Sequence, residues 1–322
     1  RHFMAIRTLL FAAALVLTTH QALAQTYPSR PIKIIVAYPA GQGTDIATRY
    51  LADQLGRELG QPVVVDNKPG AGGNLGTEQA ARSVPDGYTL TMGTNATHAL
   101  NQYLYSSLRF DAEKDFDPIS LIGTFPMMMA VNAKSNLQTV GDVIKASKGG
   151  ERAADIAIPS TTARLVVELL KERSGAALFQ VPYKGSGGAI TDVIGGQMPL
   201  IVDTPTALRA HVGSGALRAM AVTSAKPSGL APGVKTVAEQ GLDGFEVVAW
   251  NGLYAPHGTP APVLSTLSAA VMKVMARPDV RQKFLEIGFD PEGGTPTQLA
   301  DFARAERKKW EPVIKNAGIK VE

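Results

Sequence analysis

The residues with the clearest chemical potential sit at the ends of apolar runs. Gly41-x-Gly43 follows one such run, and Asp66 closes the next about 20 residues further on, which imitates the dinucleotide-binding fingerprint. In that fingerprint, glycines admit a pyrophosphate to a helix N-terminus and an acidic residue reads the ribose. Three residues depart from it. Ile46 replaces the third glycine, Pro39 lies inside the turn, and Asp45 puts a carboxylate where the pyrophosphate must sit. A smaller anion such as a carboxylate meets none of these objections, because a glycine turn at a helix N-terminus offers backbone N–H groups and a positive dipole end. Of five histidines, His2 and His20 fall in the first 24 residues, leaving His98, His211 and His257. No HExxH pattern or paired carboxylates accompany them, so neither a metal site nor a proton-transfer site is expected, and only His98 stands beside a glycine-type loop. Lys184-Gly185-Ser186-Gly187-Gly188 lacks the order of a nucleophile elbow and reads as a strand-to-helix loop with N–H donors. Asp203, before Pro205, reads equally as a helix cap and as a group that meets a ligand's polar atoms.

Composition removes other chemistry. The 322-residue chain contains no cysteine, which excludes disulfide frameworks, thiolate zinc sites, iron–sulfur clusters and cysteine nucleophiles. Met4 to Ala24 carries Arg7, the apolar run Leu9 to Leu17 and Ala22-Leu23-Ala24 before Gln25, the pattern of a cleaved secretory signal peptide. Its apolar run is well short of the ~20 residues that a bilayer requires. Arg1, His2 and Phe3 precede the initiator Met4 and read as upstream sequence, so residues 1–24 are set outside the fold. Removing them takes away Arg1 and Arg7 and no acidic residue, which lowers the formal charge from +4 to +2. The pI is near 9.2, yet the basic residues are scattered. The one dense run, Arg304, Arg307, Lys308 and Lys309, interleaves with Asp301, Glu306 and Glu311 as on a solvated helix face, so no nucleic-acid partner is expected. Export also places the chain where ATP and NAD are not ordinarily supplied.

The elements that must position these residues alternate. Pro31 to Tyr38 reads as a strand, feeding the turn Pro39 to Asp45 and a helix with Ile46, Tyr50, Leu51, Leu55 and Leu59 at helical spacing. Val63 to Asp66 is a second strand, followed by the glycine turn Asn67 to Asn74 and a short helix that stops at Pro85. Tyr88 to Thr94 is a third, followed by Asn95 to His98 and a helix through Leu104. A second series comprises Met127–Asn132, Ala154–Pro159, Leu178–Tyr183, Met198–Asp203 and Leu217–Thr223, separated by helical stretches such as Leu165–Arg173 and Ile190–Ile194. This rhythm predicts mainly parallel sheets whose loops gather at the carboxyl edge. Ten or more strands in one open sheet would be unusual, so two α/β lobes are expected. Phe116–Met128 carries the chain out and Phe245–Ala255 brings it back. Residues 25–124 plus 250–322 form lobe 1 and 125–249 lobe 2, with hinges near Gly123–Pro126 and Ala249–Gly252.

Several blocks together resemble a known family. Pro31-Ile32-Lys33-Ile34-Ile35-Val36, Pro39-Ala40-Gly41-Gln42-Gly43-Thr44-Asp45 and Asn67-Lys68-Pro69-Gly70-Ala71-Gly72-Gly73 are similar to the Bug (TctC-type) solute-binding proteins of tripartite tricarboxylate transporters. Val181 to Ser186, Gly195 to Gln197, Leu217 to Ser224 and Trp250 to Pro256 continue the likeness in family order. The resemblance implies a type II-like two-lobe periplasmic binding protein. It would be monomeric, non-catalytic and without cofactor, closing over a small carboxylate solute and passing it to membrane transporter subunits. It further implies that Tyr38, Ala40, Gly41, Gln42, Gly43, Thr44 and Asp45, with Thr94, Asn95, Ala96 and Thr97, hold one carboxylate through backbone N–H groups and ordered water. Ser160, Thr161, Thr162 and Arg164, Lys184, Ser186 and Gly187, and Asp203 would then read the far end. Two departures stand out. Gln42 replaces a glycine of the family's usual run, and Ser160 to Leu165 is shorter than the usual Gly/Ser/Pro-rich loop. The competing readings are a nicotinamide-dependent oxidoreductase built on Gly41, Gly43 and Asp66, which export opposes, and a sensory partner protein with the same lobes.

Overall fold

The computed structural model describes residues 27–149, 152–316 and 318–321; the expected leader, residues 1–24, and the processed start at Gln25 lie outside them. β1 (Ile32–Val36) is a β-branched run in which Ile34, Ile35 and Val36 are fully buried, as a strand covered on both faces requires. The turn after it leads into α1 (Gly43–Leu59), which starts at an extended Gln42 and stops at left-handed Gly60. β2 (Val63–Asn67) passes through a 3₁₀ turn at Ala71–Gly73 into α2 (Asn74–Ala81). β3 (Thr89–Thr94) is followed by a π-helical turn, Ala96–Leu100, and the short α3 (Asn101–Leu104).

The chain then runs through β4 (Phe116–Pro126), β5 (Met128–Asn132), α4 (Val140–Ser147), β6 (Ile156–Ile158), α5 (Thr161–Ser174) and β7 (Gln180–Pro182). It continues through α6 (Ser186–Ile194), β8 (Leu200–Asp203), α7 (Pro205–Gly213), β9 (Leu217–Val222) and β10 (Val248–Pro256), and ends with α8 (Ala261–Ala276), α9 (Pro278–Ile287), β11 (Asp290–Pro291) and α10 (Pro296–Asn316). Helix starts follow capping chemistry: Thr139 and Asp142 form a capping box on α4, and Thr204 with Pro205 opens α7.

Two sheets result, with orders β2-β1-β3-β10-β4-β11 and β7-β6-β8-β5-β9. In the first, β1 to β4 run one way, while β10 and β11 run against them. In the second, β5 opposes β6 to β9. Strand directions are thus mainly parallel, but the long outgoing and returning strands, β4 and β10, pair antiparallel, since a chain that leaves a sheet and comes straight back must reverse.

The chain changes sheet inside the two expected crossing segments, next to Pro126 on the way out and just before Ala249 on the way back. Gly123 lies opposite Asn251 inside the β4–β10 ladder, and a Cβ there would stand 2.9 Å from the Asp290 carbonyl oxygen, so this glycine serves close strand packing. The chain changes sheet at Met127 and again at Val247. Fully buried Thr223 ties both points together: its N–H donates to Met127 O (3.0 Å), its Oγ1 accepts from Met127 N (2.8 Å), and its carbonyl accepts from Val247 N (2.8 Å).

Candidate ligand-binding site between the two sheets

The loops at the carboxyl ends of the parallel strands face each other and enclose two adjoining compartments. The outer one, about 550 Å³, falls within the range of small-molecule sites. Its walls include Ala37, Pro39, Pro69, Gly70–Gly73, Ile158, Pro159, Pro182, Tyr183 and Val321, with Ser160, Thr161, Arg164 and Lys184 as polar members. It holds two cationic side chains and no acidic one among the described residues. The inner one, about 40 Å³, has room for about one to three waters. It is lined by Gly43, Thr44, Thr94, Asn95, Phe125, Met127, Thr162, Asp203, Thr204 and Ala249. Tyr38, Gln42 and Ser160 border both, so they form the partition.

On the first sheet's side a web of hydrogen bonds holds the glycine turn. Gly41 adopts φ +85°, which glycine tolerates best, and its N–H donates to Asp45 Oδ2 at 2.9 Å. Asp45 also accepts from Arg49 Nε (3.1 Å) and Asn67 Nδ2 (2.8 Å), while Asn67 Nδ2 reaches Tyr38 O at 2.9 Å. Burial by itself would raise the Asp45 pKa, but the bonds from Arg49, Gly41 and Asn67 together pull it below the usual carboxylate range. Thr94 and Thr97 satisfy each other: Thr94 N donates to Thr97 Oγ1 (3.1 Å) and Thr97 N to Thr94 Oγ1 (3.3 Å), with the Tyr38 hydroxyl 2.8 Å from Thr94 Oγ1. Thr97 Oγ1 also lies 2.9 Å from Nδ1 of fully buried His98, which stacks on Tyr254. Burial and the nearby Arg307 charge push the His98 pKa down to about 3, so its ring is neutral.

The second sheet's side is less complete. Asp203 is 2% exposed; its Oδ1 accepts from Thr204 N at 2.7 Å, and its Oδ2 has no partner. Burial pushes its pKa up to about 6, tempered by the neighbouring Ser186 hydroxyl and the Thr204 N–H. Ser186 Oγ itself completes no hydrogen bond. Ser160 caps α5 by accepting from Ala163 N (3.2 Å). The two sides touch: Gln42 Nε2 donates to Pro159 O (3.1 Å), Thr162 Oγ1 to Asn95 Oδ1 (3.2 Å), and Arg164 to Lys320 O (2.9 Å). A Cβ on Gly43 would stand 2.6 Å from Thr204 Oγ1, so only glycine permits this approach.

Comparison with known proteins gives the cleft its context. Residues 47–319 match the tripartite tricarboxylate transporter family receptor, TctC. The chain belongs to the TctC receptor family. BugT of Bordetella pertussis is 36% identical over 302 residues, covering 93% of this chain and 93% of BugT. Among solved structures, R. palustris Rpa4515 with adipate has a TM-score of 0.87 at 32% identity, covering 91% of this chain and 99% of that one. MatC from Rhodopseudomonas palustris, with bound malate, has a TM-score of 0.82 at 28% identity, covering 89% and 100%. The two-sheet architecture is that of periplasmic binding proteins, and the receptor is not an enzyme. Asp66, the ribose reader of the oxidoreductase reading, is instead ion-paired to Lys33 (3.6 Å) and Lys68 (3.3 Å).

The receptor's cleft gathers Tyr38, Gln42, Gly43, Thr44, Thr94, Asn95, Ser160, Thr161, Thr162, Arg164, Lys184 and Asp203 at its walls. Ala40, Gly41, Asp45, Ala96, Thr97, Ser186 and Gly187 lie outside them. Asp45 and Thr97 are turned inward to brace the loops; Ala40, Gly41 and Gly187 are exposed on the outside of their turns. Of the backbone amides in the two turns expected to hold a carboxylate, those of Gly41, Gln42, Thr94 and Thr97 have partners within the protein, while Gly43, Thr44 and Asn95 lie on the inner wall. Wall residues missing from the sequence-derived set include the Gly70–Gly73 turn, Pro159, Tyr183, Thr204 and Val321. The first had a signal, a glycine turn after a strand of the same edge; Val321 had none. Asn251 was also missed: buried on β10, it donates to Thr44 Oγ1 at 3.2 Å and steadies the start of α1.

Proposed function

We propose that this receptor works outside the cytoplasm, in the periplasm after leader cleavage. There it captures a small carboxylate-bearing solute between its sheets as a monomer and delivers it to the membrane subunits of a tripartite tricarboxylate-type transporter. The observation that carries this reading is the outer compartment, where Arg164 and Lys184 join apolar walls with no acidic side chain among the described residues. Adipate in Rpa4515 and malate in MatC support the class of solute. No helix among the described residues is long and apolar enough to cross a membrane. The solute meets Tyr38, Gln42, Thr44, Thr94 and Asn95 from one side and Ser160, Thr161, Thr162, Arg164, Lys184 and Asp203 from the other. Residues 25–124 with 250–322 and residues 125–249 act as the two lobes, and contact with both favours the closed arrangement.

The test is a thermal-shift screen of carboxylates, neutral amides and sugars against protein dialysed under partial unfolding to strip carried-over ligand. A solute at 100 times its Kd adds about 2.7 kcal/mol, readily visible in Tm. The expected result is a rise with a subset of carboxylates that is lost in Arg164→Ala. A rise with sugars alone, or none with any carboxylate, overturns the reading.

A further inference from the structure

Resting on that reading, we infer that His98, buried behind the turn after β3, is a positioning residue for the solute's carboxylate: through the hydroxyls of Thr97 and Thr94 it holds the Tyr38 hydroxyl with its proton toward the cleft. Four polar groups stand in a row. His98 Nδ1 lies 2.9 Å from Thr97 Oγ1, Thr97 Oγ1 lies 3.4 Å from Thr94 Oγ1, and Thr94 Oγ1 lies 2.8 Å from the hydroxyl of Tyr38, a residue that lines both compartments. The local fold makes room for this row. The π-helical turn Ala96–Leu100 carries both Thr97 and His98, and a Cβ on Gly93 would stand 2.6 Å from His98 Nδ1, so glycine at that position lets the ring reach Thr97. Arg307 on α10 donates from Nη1 to His98 O at 3.1 Å and holds the turn's backbone.

Each hydroxyl has one proton to give. Thr97 Oγ1 already accepts from Thr94 N, and Thr94 Oγ1 from Thr97 N, so each threonine oxygen has one lone pair left. With a neutral imidazole, two complete arrangements remain, and they run in opposite directions. If Nδ1 carries the proton, His98 donates to Thr97, Thr97 to Thr94 and Thr94 to Tyr38, and the Tyr38 proton is left for the cleft. If Nε2 carries it, Tyr38 donates to Thr94, Thr94 to Thr97 and Thr97 to Nδ1; the cleft then meets an oxygen lone pair, which repels a carboxylate. The far side of the ring decides between them. Nε2 is buried without a partner, and the ring lies against Tyr254 at 4.2 Å and Phe116 at 4.8 Å. A stranded N–H is a rarer defect there than a stranded lone pair, so the proton belongs on Nδ1. Burial and the Arg307 charge keep His98 neutral, and burial pushes the Tyr38 pKa up to about 12, so the row keeps its protons at neutral pH.

Two measurements test this. Nitrogen NMR of protein carrying isotope-labelled histidine, without solute, should show a pyrrole-type Nδ1 and a pyridine-type Nε2 at His98; the reverse pattern overturns the inference whatever the solute. That spectrum needs no variant, so a variant that fails to fold does not shield the inference. Calorimetry then uses malonate, succinate, glutarate, adipate, malate and citrate. For the compound that binds the unaltered receptor best, Tyr38→Phe and His98→Phe should each weaken binding about tenfold. In the Tyr38→Phe background His98→Phe should cost less than about twofold more, because it acts through that hydroxyl. His98→Asn, whose amide can donate in place of Nδ1–H, should recover affinity to within about threefold of the unaltered receptor, with circular dichroism confirming that each variant is folded. Losses that add in the double variant, or an Asn variant no better than the Phe variant, overturn this inference and leave the carboxylate-receptor reading standing. Binding of the unaltered receptor to no compound of the panel overturns both.

Discussion

Asp45 and Asp203 invite comparison. Each stands beside a helix start at the carboxyl edge of its sheet, each is 2% exposed, and their pKa values move in opposite directions. Asp45 receives donors from Gly41, Arg49 and Asn67 on its own side of the cleft; Asp203 receives Thr204 N on Oδ1, and the Ser186 hydroxyl lies beside it without completing a hydrogen bond to Oδ2. Equal solvent exposure therefore does not give the two carboxyl groups equal charge states. At Asp45 three donors from its own loops outweigh desolvation, whereas at Asp203 desolvation prevails over the fewer donors around it.

Removing Asp45 should give the largest effect. Asp45→Ala removes the acceptor of the Gly41 amide, one of the two acceptors of Asn67 Nδ2 and the ion-pair partner of Arg49, and should lower stability by about 2–4 kcal/mol, read by urea denaturation. If the loss is below about 1 kcal/mol, Asp45 is no scaffold and the contrast fails. Asp203→Asn should act in the opposite sense, raising the stability of ligand-free protein at pH 7.5 by about 1–3 kcal/mol. The sign follows from linkage: a carboxyl with a folded pKa of about 6 and an ordinary value of 3.8 holds its proton more tightly when folded. Its contribution is fully present below pH 3.8 and lost as pH rises through 6, so the variant's advantage should vanish near pH 4.

Gly43→Ala probes the approach of the two sides instead of either carboxylate. Its Cβ meets Thr204 Oγ1, so solute binding should weaken by about tenfold, near 1.4 kcal/mol, while Tm without solute changes little. The smallest effect belongs to Gln42→Ala, which removes the neutral cross-cleft bond to Pro159 and thins the partition it shares with Tyr38 and Ser160. Its stability cost should be about 0.5–1.5 kcal/mol, and longer solutes should gain affinity relative to shorter ones.

Much of this was legible in the chain. The alternation of β-branched runs with helical spacing places β1, β2, β3, β5, β8 and β9 within a few residues of where they form, because strands covered on both faces must be continuously apolar. Glycine turns after the strands mark the cleft's first wall. The opposite pKa shifts of Asp45 and Asp203 were not legible, since each stands at a helix start. Asn67, which completes Asp45, is 22 residues away in sequence and adjacent only because β2 lies parallel to β1. Both changes of sheet fall inside the crossing segments read from sequence, but what pins them was not legible: Gly123 is held in the β4–β10 ladder, while the joint forms at Thr223, an ordinary residue until it meets Met127 and Val247.

The amino-acid sequence by itself determined the classes of element, their order, the absence of cysteine chemistry and the family resemblance, because these depend on local periodicity and on blocks of neighbouring residues. Tertiary structure alone decided which backbone donors are already paired, that Val321 walls the cleft, and that Gln42, with Tyr38 and Ser160, divides it. Those properties depend on which distant groups fill one another's hydrogen bonds. Such pairing is set by the packing of one sheet's loops against the other's, and no local pattern encodes it.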